Sequence, residues 1–317
     1  MTARTRVLLL GYGEMGRAME RLLADRASVS IWEKFPRAGF RSVSLPQAVP
    51  RADVVIFCLP TKPHSEVLAE ITPWLAPACI CLSVAKGLDP AGRPVTRILE
   101  DVLGPDFGYG VLHGPMIAEQ ILAGRHAFAQ LGCSGSGVVP RVTALFDRTR
   151  LHVTPVTDLI GINWAVVLKN VYAMAFGMAD ELGLGDNVRG WLSVRALREL
   201  DALVQQLGGA PGTAYGLAGL GDLVATATSE HSHHHQLGRR LARGETGVGV
   251  PGGLEGEAIR TLAAADQHRF LDDSDLPLLR WIRGIVREPG DVARRFEELF
   301  DDCGALRSVF PPKKPMR

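Results

Sequence analysis

The stretch Arg6–Leu23, RVLLLGYGEMGRAMERLL, decides the fold. Arg6–Leu10 is a short apolar run, which suits a strand buried on both faces of a parallel sheet. Gly11, Gly13 and Gly16 follow at once. Apolar residues then recur at helical spacing from Arg17 to Leu23. Strand, G-x-G-x-x-G, helix is the order that a dinucleotide-binding βαβ unit requires. Gly11 makes the tight turn, Gly13 lets backbone approach a pyrophosphate, and Gly16 lets helix and strand pack closely. The helix start offers free N–H groups and the positive end of a dipole. Tyr12, Glu14 and Met15 complete this cofactor-binding loop.

The next elements support the same unit. Val29–Glu33 alternates as a strand and ends on an acid. A carboxylate there holds a ribose 2′-hydroxyl and repels a 2′-phosphate, so Glu33 leans towards NAD. Lys34 and Arg37 follow directly and could hold a 2′-phosphate, which keeps NADP open; a solvated loop acid is the plainer reading of Glu33. Asp53–Leu59 and Ala78–Val84 read as buried strands, with helical spacing from Glu66 to Leu75 between them. Lys86 sits just past the second, where ligands bind in open α/β sheets. Gly108–Leu112, His126–Gly132 and Leu151–Val153 read as further strands, with helical residues from Ile117 and over Val138–Phe146. After Pro155 the alternation stops. The expected division is a nucleotide-binding domain over 1–155, a helical domain over 156–310, and a disordered Pro- and Lys-rich tail over 311–317.

The helical half opens with Gly161–Asn187, GINWAVVLKNVYAMAFGMADELGLGDN. It reads as one long helix ended by a Gly-containing turn. A helix apolar on all sides is either buried in a protein or spans a membrane. Lys169 and Asn170 at its midpoint speak against a membrane, where the lysine alone costs about 3 kcal/mol. An ammonium indoors needs a partner or a wet cleft. The plainer alternative is a lysine that snorkels to the surface. Val188–Leu207 then reads as an amphipathic helix, Gly216–Asp222 as a Gly-rich turn, and His231–His235 as a histidine cluster.

Composition sets bounds around this. The 317 residues carry a formal net charge of +1, are 46% hydrophobic and 22% charged, and include five cysteines with no metal spacing. Nothing here attracts nucleic acid or an anionic membrane surface. Scattered, odd-numbered cysteines suit reduced thiols in a cytoplasmic protein. The start, MTARTR, shows no signal-peptide pattern.

With these segments in place, the sequence resembles the NAD(P)-dependent glycerol-3-phosphate dehydrogenases, most closely the bacterial type. The resemblance rests on Gly11–Gly16, Ser83-Val-Ala-Lys86-Gly87, Gly114-Pro115-Met116-Ile117-Ala118, Leu168-Lys169-Asn170-Val171, Gly183-Leu-Gly185-Asp-Asn187, and Gly216–Leu223 with Thr226. It implies a Rossmann domain, with a mostly parallel doubly wound sheet. An all-α C-terminal domain of the 6-phosphogluconate dehydrogenase type would follow. It implies interconversion of dihydroxyacetone phosphate and sn-glycerol 3-phosphate by hydride transfer. Lys169 would be the acid/base, assisted by Lys86 and Asp222. Asn170, Thr226, Gly114, His233 and His234 would meet the substrate. Ala118 and Glu255 would join Glu33, Lys86 and the glycine loop at the cofactor. A homodimer, no membrane insertion and no metal are implied as well.

The sequence departs from the family's pattern at the substrate end. The family's Ser-Arg-Asn appears as Ser232-His233-His234. Its acid after Gly-Pro-x-x-Ala is Gln120 here, with Glu119 one position early and expected to point elsewhere. Met116 replaces a small or polar residue. A guanidinium grips a phosphate with two charge-assisted bonds, whereas a part-charged imidazole offers fewer. The histidines therefore read as substrate-facing, as a solvated helix start, or as a metal pair through His231 and His235 at i,i+4. Two rival functions stand beside the family's reaction. One is a paralogous dehydrogenase for a different small hydroxy or keto compound. The other is a non-catalytic dinucleotide sensor, which would have no physical need of the buried lysine.

Overall fold

The computed structural model describes residues 4–135, 137–229, 232–245 and 255–303. His231, most of the loop over 244–256 and the tail over 311–317 lie outside the described residues.

All the described strands fall in the first half, in one sheet ordered β2-β1-β3-β4-β5-β6-β7. They are β1 (Thr5–Leu10), β2 (Ala27–Trp32), β3 (Val54–Phe57), β4 (Ile80–Ser83), β5 (Gly108–His113), β6 (Ala127–Cys133) and β7 (Leu151–Val156). Every pairing is parallel except β5 with β6. Six helices alternate with them: α1 (Glu14–Leu23), α2 (Leu45–Ala48), α3 (His64–Ile71), α4 (Val95–Leu103), α5 (Ala118–Leu122) and α6 (Val138–Phe146).

Strand side chains alternate between two apolar layers. Val7, Leu9, Ile56, Ile80 and Leu82 pack with α1, α5 and α6. Leu8, Leu10, Val55, Phe57 and Cys81 pack with α3 and α4 on the other face. Burial on both faces is why these strands read as unbroken apolar runs. Cys79 and Cys81 are free and buried. Chain order reverses between β1 and β3, so the crevice for a ligand opens at their carboxyl ends.

After Val156 the described chain is helical. It forms α7 (Leu159–Glu181), α8 (Gly185–Gln206), α9 (Asp222–Ala227), α10 (His233–Ala242), α11 (Glu257–His268), α12 (Pro277–Arg287) and α13 (Val292–Cys303). α7 is the axis of this half and is buried from Gly161 to Ala179. It is long and apolar enough to cross a membrane, but 89% of its most apolar window is covered by the fold. The expected single element Gly161–Asn187 is thus divided: α7 ends at Glu181, and Gly185 already opens α8. Asp158 caps α7 by accepting the Gly161 N–H at 2.8 Å.

α7 and α10 cross backbone to backbone. A Cβ on Gly177 would lie 2.0 Å from the His235 carbonyl oxygen, and one on Gly238 would lie 2.0 Å from that of Met174. Only glycine permits this approach. Two polar residues of α7 also gain a structural reason. Asn163 Oδ1 accepts the Thr96 N–H of α4 at 3.1 Å, tying the helical half to the sheet half. Tyr172 donates to Glu199, whose carboxylate accepts the Leu278 and Leu279 N–H groups at the start of α12. The helix over Val95–Leu103 was not foreseen, and the helical run expected over Glu66–Leu75 is α3 followed by a 3-10 turn at Thr72–Trp74. Pro73 accounts for that break, because proline cannot donate into a continuing helix.

Candidate active site

A cleft of about 640 Å³ runs from the glycine-rich turn, past the ends of β3 and β4, to α7, α9 and α10. Gly13, Glu14, Met15, Lys86, Ala118, Lys169, Asn170, Asp222, Thr226, His233 and His234 all line it. Residues from far-apart segments converge here: Lys169 and Asn170 from the middle of α7, Asp222 and Thr226 from α9, and Lys86 from just past β4.

Two lysines meet one carboxylate at its centre. Asp222 Oδ2 lies 2.8 Å from Lys169 Nζ and 2.9 Å from Lys86 Nζ. Lys169 and Asp222 are each 2% exposed. Lys169 also donates to Thr226 Oγ1, and the Thr226 hydroxyl is anchored on the Asp222 carbonyl at 2.6 Å. Lys86 donates to the Gly114 carbonyl at 3.2 Å. So Lys169 does not snorkel: it is an indoor ammonium whose desolvation is offset by Asp222. Burial, reinforced by the Lys86 charge and opposed by Asp222, brings the Lys169 pKa down to about 8. For Asp222, burial pushes the pKa up, but the two ammoniums overcome it and hold the group below the ordinary carboxylate range.

The loop carrying Lys86 is fixed by neutral hydrogen bonds. Ser83 Oγ accepts the Ala85 N–H at 3.1 Å and pairs with His64 Nε2 at 2.9 Å. Thr61 Oγ1 accepts the Gly87 N–H at 3.2 Å. Burial lowers the His64 pKa to about 4, so this brace carries no charge near neutral pH.

At the other end, the turn fits a dinucleotide. Gly11 has φ +95°, and a Cβ on Gly16 would lie 2.2 Å from the Gly11 carbonyl oxygen. Nothing lies within 4 Å of a Cβ position on Gly13, and no side chain caps α1. Its first N–H groups are therefore free for a pyrophosphate. Glu33 closes the far side: Oε2 accepts the Tyr12 N–H at 2.7 Å and Oε1 the Phe35 N–H at 3.1 Å. Each oxygen keeps a lone pair for a ribose hydroxyl. Lys34 is ion-paired with Glu66 at 3.0 Å. Glu255 is exposed and lines a neighbouring groove with Pro60, Thr61 and Gly87 rather than the main cleft.

The histidine cluster divides by role. His233 and His234 line the cleft, next to Ser229 and Ser232. Burial, then the charges of Lys169, His233 and Lys86, lower the His234 pKa to about 3 against the opposing pull of Asp222. His235 points away and meets Asp180 at 2.6 Å between Nε2 and Oδ2. Arg189 holds the other oxygen of Asp180 at 2.6 Å. His235 is thereby engaged, and its expected metal partner His231 lies outside the described residues. Among the described residues, no group of three or more His, Cys, Asp or Glu is arranged to hold a metal.

One expectation is corrected. Glu119 lines the cleft, whereas Gln120 faces a separate hollow with His126 and Phe128. The two are adjacent on the five-residue α5, about 100° apart around its axis, so they face different spaces. Two residues went unnoticed. Glu257, in the first turn of α11, lines the cleft. His113 is fully buried at the end of β5 with both ring nitrogens unpartnered. Burial and the neighbouring Lys86 push its pKa to about 3. Neither could be found from periodicity, since one follows a glycine loop and the other ends a strand.

Comparison with known families agrees with this geometry. The family model for the NAD-dependent glycerol-3-phosphate dehydrogenase N-terminus matches residues 34–137, and the one for the C-terminus matches residues 158–295. The chain belongs to the NAD-dependent glycerol-3-phosphate dehydrogenase family. Within it, NAD(P)+ glycerol-3-phosphate dehydrogenase 2 of Sphingopyxis alaskensis is 33% identical over 294 residues, covering 84% of this chain and 88% of its own. The Agrobacterium fabrum NAD(P)+ glycerol-3-phosphate dehydrogenase is 31% identical over 322 residues, covering 93% and 97%. The crystal structure of glycerol-3-phosphate dehydrogenase from Coxiella burnetii shares the fold, with a TM-score of 0.79 at 24% identity over 94% of this chain and 99% of that one.

Proposed function

We propose that the chain is an NAD(P)-dependent oxidoreductase that interconverts dihydroxyacetone phosphate and sn-glycerol 3-phosphate. The observation that carries this reading is the Lys169–Asp222–Lys86 cluster, buried at Lys169 and Asp222, within the same cleft as the free start of α1. The family membership supports it.

The glycine turn, Glu33 and Ala118 would hold the dinucleotide, which when bound would supply hydride chemistry at the carbonyl carbon. The chain's own work lies on the oxygen. Lys169 donates its proton as charge develops there, and Lys86 adds a second positive charge nearby. Asp222 keeps both ammoniums charged and aimed. Thr226 fixes the Lys169 tip. Asn170 Oδ1, buried and unpartnered within the protein, accepts a substrate hydroxyl. His233, His234 and the Gly114 segment border the rest of the substrate. A pKa of about 8 lets Lys169 work in both directions near neutral pH: as an acid for reduction and, once deprotonated, as a base for oxidation. In the reverse direction Lys169 takes the alcohol proton.

Glu33 favours NAD over NADP, because a 2′-phosphate would meet its carboxylate. We further read a sheet domain over 1–155, a helical domain over 156–310, cytoplasmic residence, and a homodimer through the helical half. The test is turnover of dihydroxyacetone phosphate with NADH or NADPH, followed at the nicotinamide absorbance. No oxidation of either cofactor with this ketone would count against the reading, and cofactor binding without any turnover would favour a sensor.

A further inference from the structure

The turn that follows β3 clamps the Lys86 loop from both sides. The Thr61 carbonyl accepts the His64 N–H at 3.0 Å, which closes the turn. From it, Thr61 Oγ1 accepts the Gly87 N–H at 3.2 Å, one residue after Lys86. The His64 ring reaches Ser83 at 2.9 Å, and Ser83 Oγ accepts the Ala85 N–H at 3.1 Å, one residue before Lys86. The direction of each bond is fixed. His64 Nδ1 lies 2.9 Å from the Pro60 carbonyl, which can only accept, so Nδ1 carries the ring proton. Burial keeps the ring neutral, so Nε2 takes the Ser83 hydroxyl hydrogen and leaves the Ser83 oxygen to accept from Ala85. His64 and Ser83 are both fully buried. Phe57 stacks on the imidazole at 5.0 Å, a place that a phenyl ring would fill with no desolvation cost. What the imidazole adds there is its two polar bonds.

We propose that His64 is a positioning residue for the reaction: through Ser83 and the Ala85 backbone it keeps the Lys86 ammonium on Asp222, beside Lys169. This rests on the function proposed above and adds to it a residue outside the lining of the cleft. Lys86 needs the support, because its side chain is 23% exposed and its flexible stem can carry the charge out to solvent. The consequence falls on Lys169, which is faced by Asp222 from α9, Lys86 from past β4, Glu257 from α11 and the neutral His234 from α10. Burial is the main cause of its lowered pKa. Among the charges, Lys86 lowers it further, and Asp222 and Glu257 oppose this. Releasing Lys86 therefore lets the Lys169 pKa rise.

The test compares His64→Phe, Ser83→Ala and their double variant with wild type and with His64→Gln, whose amide can accept from Ser83 and donate to Pro60. The Lys169 side chain is titrated by NMR in protein carrying 13C-labelled lysine, without substrate. Its midpoint should move up by about half a unit or more in each single variant, and no further in the double variant, because both changes break one chain. His64→Gln should titrate like wild type. The pH profile of kcat for ketone reduction should shift in the same direction. A Lys169 midpoint that stays in place in the folded variants overturns the proposal, even if they unfold at lower temperature, and so do single shifts that add in the double variant. If His64→Phe does not fold, Ser83→Ala alone carries the test. Absence of dihydroxyacetone phosphate turnover in wild type overturns the proposed reaction instead, and the titration still decides the role of His64.

Discussion

Asp222 holds the Lys169 ammonium at 2.8 Å in a place where both side chains are almost completely shielded from solvent. The same oxygen also takes Lys86 at 2.9 Å. One carboxylate between two ammoniums leaves a net positive charge facing the cleft. That is what a ketone oxygen acquiring negative charge requires.

The pH dependence follows with a definite sign. Lys169 must carry its proton to reduce a ketone, so kcat for reduction should fall as pH rises through about 8. Oxidation of the alcohol needs the neutral amine and should rise through the same range. In Asp222→Asn the favourable charge is gone while burial and Lys86 remain. The midpoint should therefore move to lower pH, and kcat should drop by about 100-fold or more. Rate profiles in both directions check this, and a midpoint that moves up would contradict it.

Arginine should restore what the histidine end lacks. His233→Arg with His234→Asn introduces a guanidinium able to grip a phosphate through two bonds. KM for dihydroxyacetone phosphate should fall about ten-fold or more, with little change for the unphosphorylated ketone. An unchanged KM would mean that these side chains do not approach the phosphate.

The crossing of α7 and α10 is intolerant of a single methyl. Gly177→Ala or Gly238→Ala would drive a Cβ to 2.0 Å from a backbone oxygen, which neither helix can avoid without moving. Each should cost about 1–3 kcal/mol of stability or more in a denaturant titration. Because α10 carries His233 and His234, KM should rise more than kcat falls. Wild-type stability in either variant would show that the helices are further apart.

Cofactor choice is written at the end of β2. Glu33→Ala removes the carboxylate that accepts the Tyr12 and Phe35 N–H groups. It should raise KM for NADH about five-fold or more and lower KM for NADPH, since a repulsive charge is lost. Steady-state kinetics with both cofactors decides this, and equal effects on both would assign Glu33 to loop structure alone.

Much of this was legible in the chain. Strands buried on both faces appear as apolar runs, and the glycine turn carries its own spacing. Lys169 stood out because an ammonium in an all-apolar helix has no bland explanation except snorkelling, which 2% exposure removes. What stayed hidden depends on helix phase and on packing across long separations. Glu119 and Gln120 differ by one position, yet Glu119 lines the cleft and Gln120 a separate hollow, a choice set by how α5 is oriented in the fold. His235 reads like its neighbours His233 and His234, yet it turns inward to Asp180, 55 residues earlier in the chain. Asn163 is a polar residue in an otherwise apolar stretch of α7, and its partner is a backbone group of α4 in the other half of the molecule.

The central claim is that Lys169 delivers the proton, and the most direct test is Lys169→Ala against wild type. Reduction of dihydroxyacetone phosphate is followed at the nicotinamide absorbance, with cofactor binding measured separately by fluorescence titration. The expected result is a loss of kcat of about 10³-fold or more with cofactor affinity kept within about three-fold. A variant that retains kcat within about ten-fold of wild type would contradict the account.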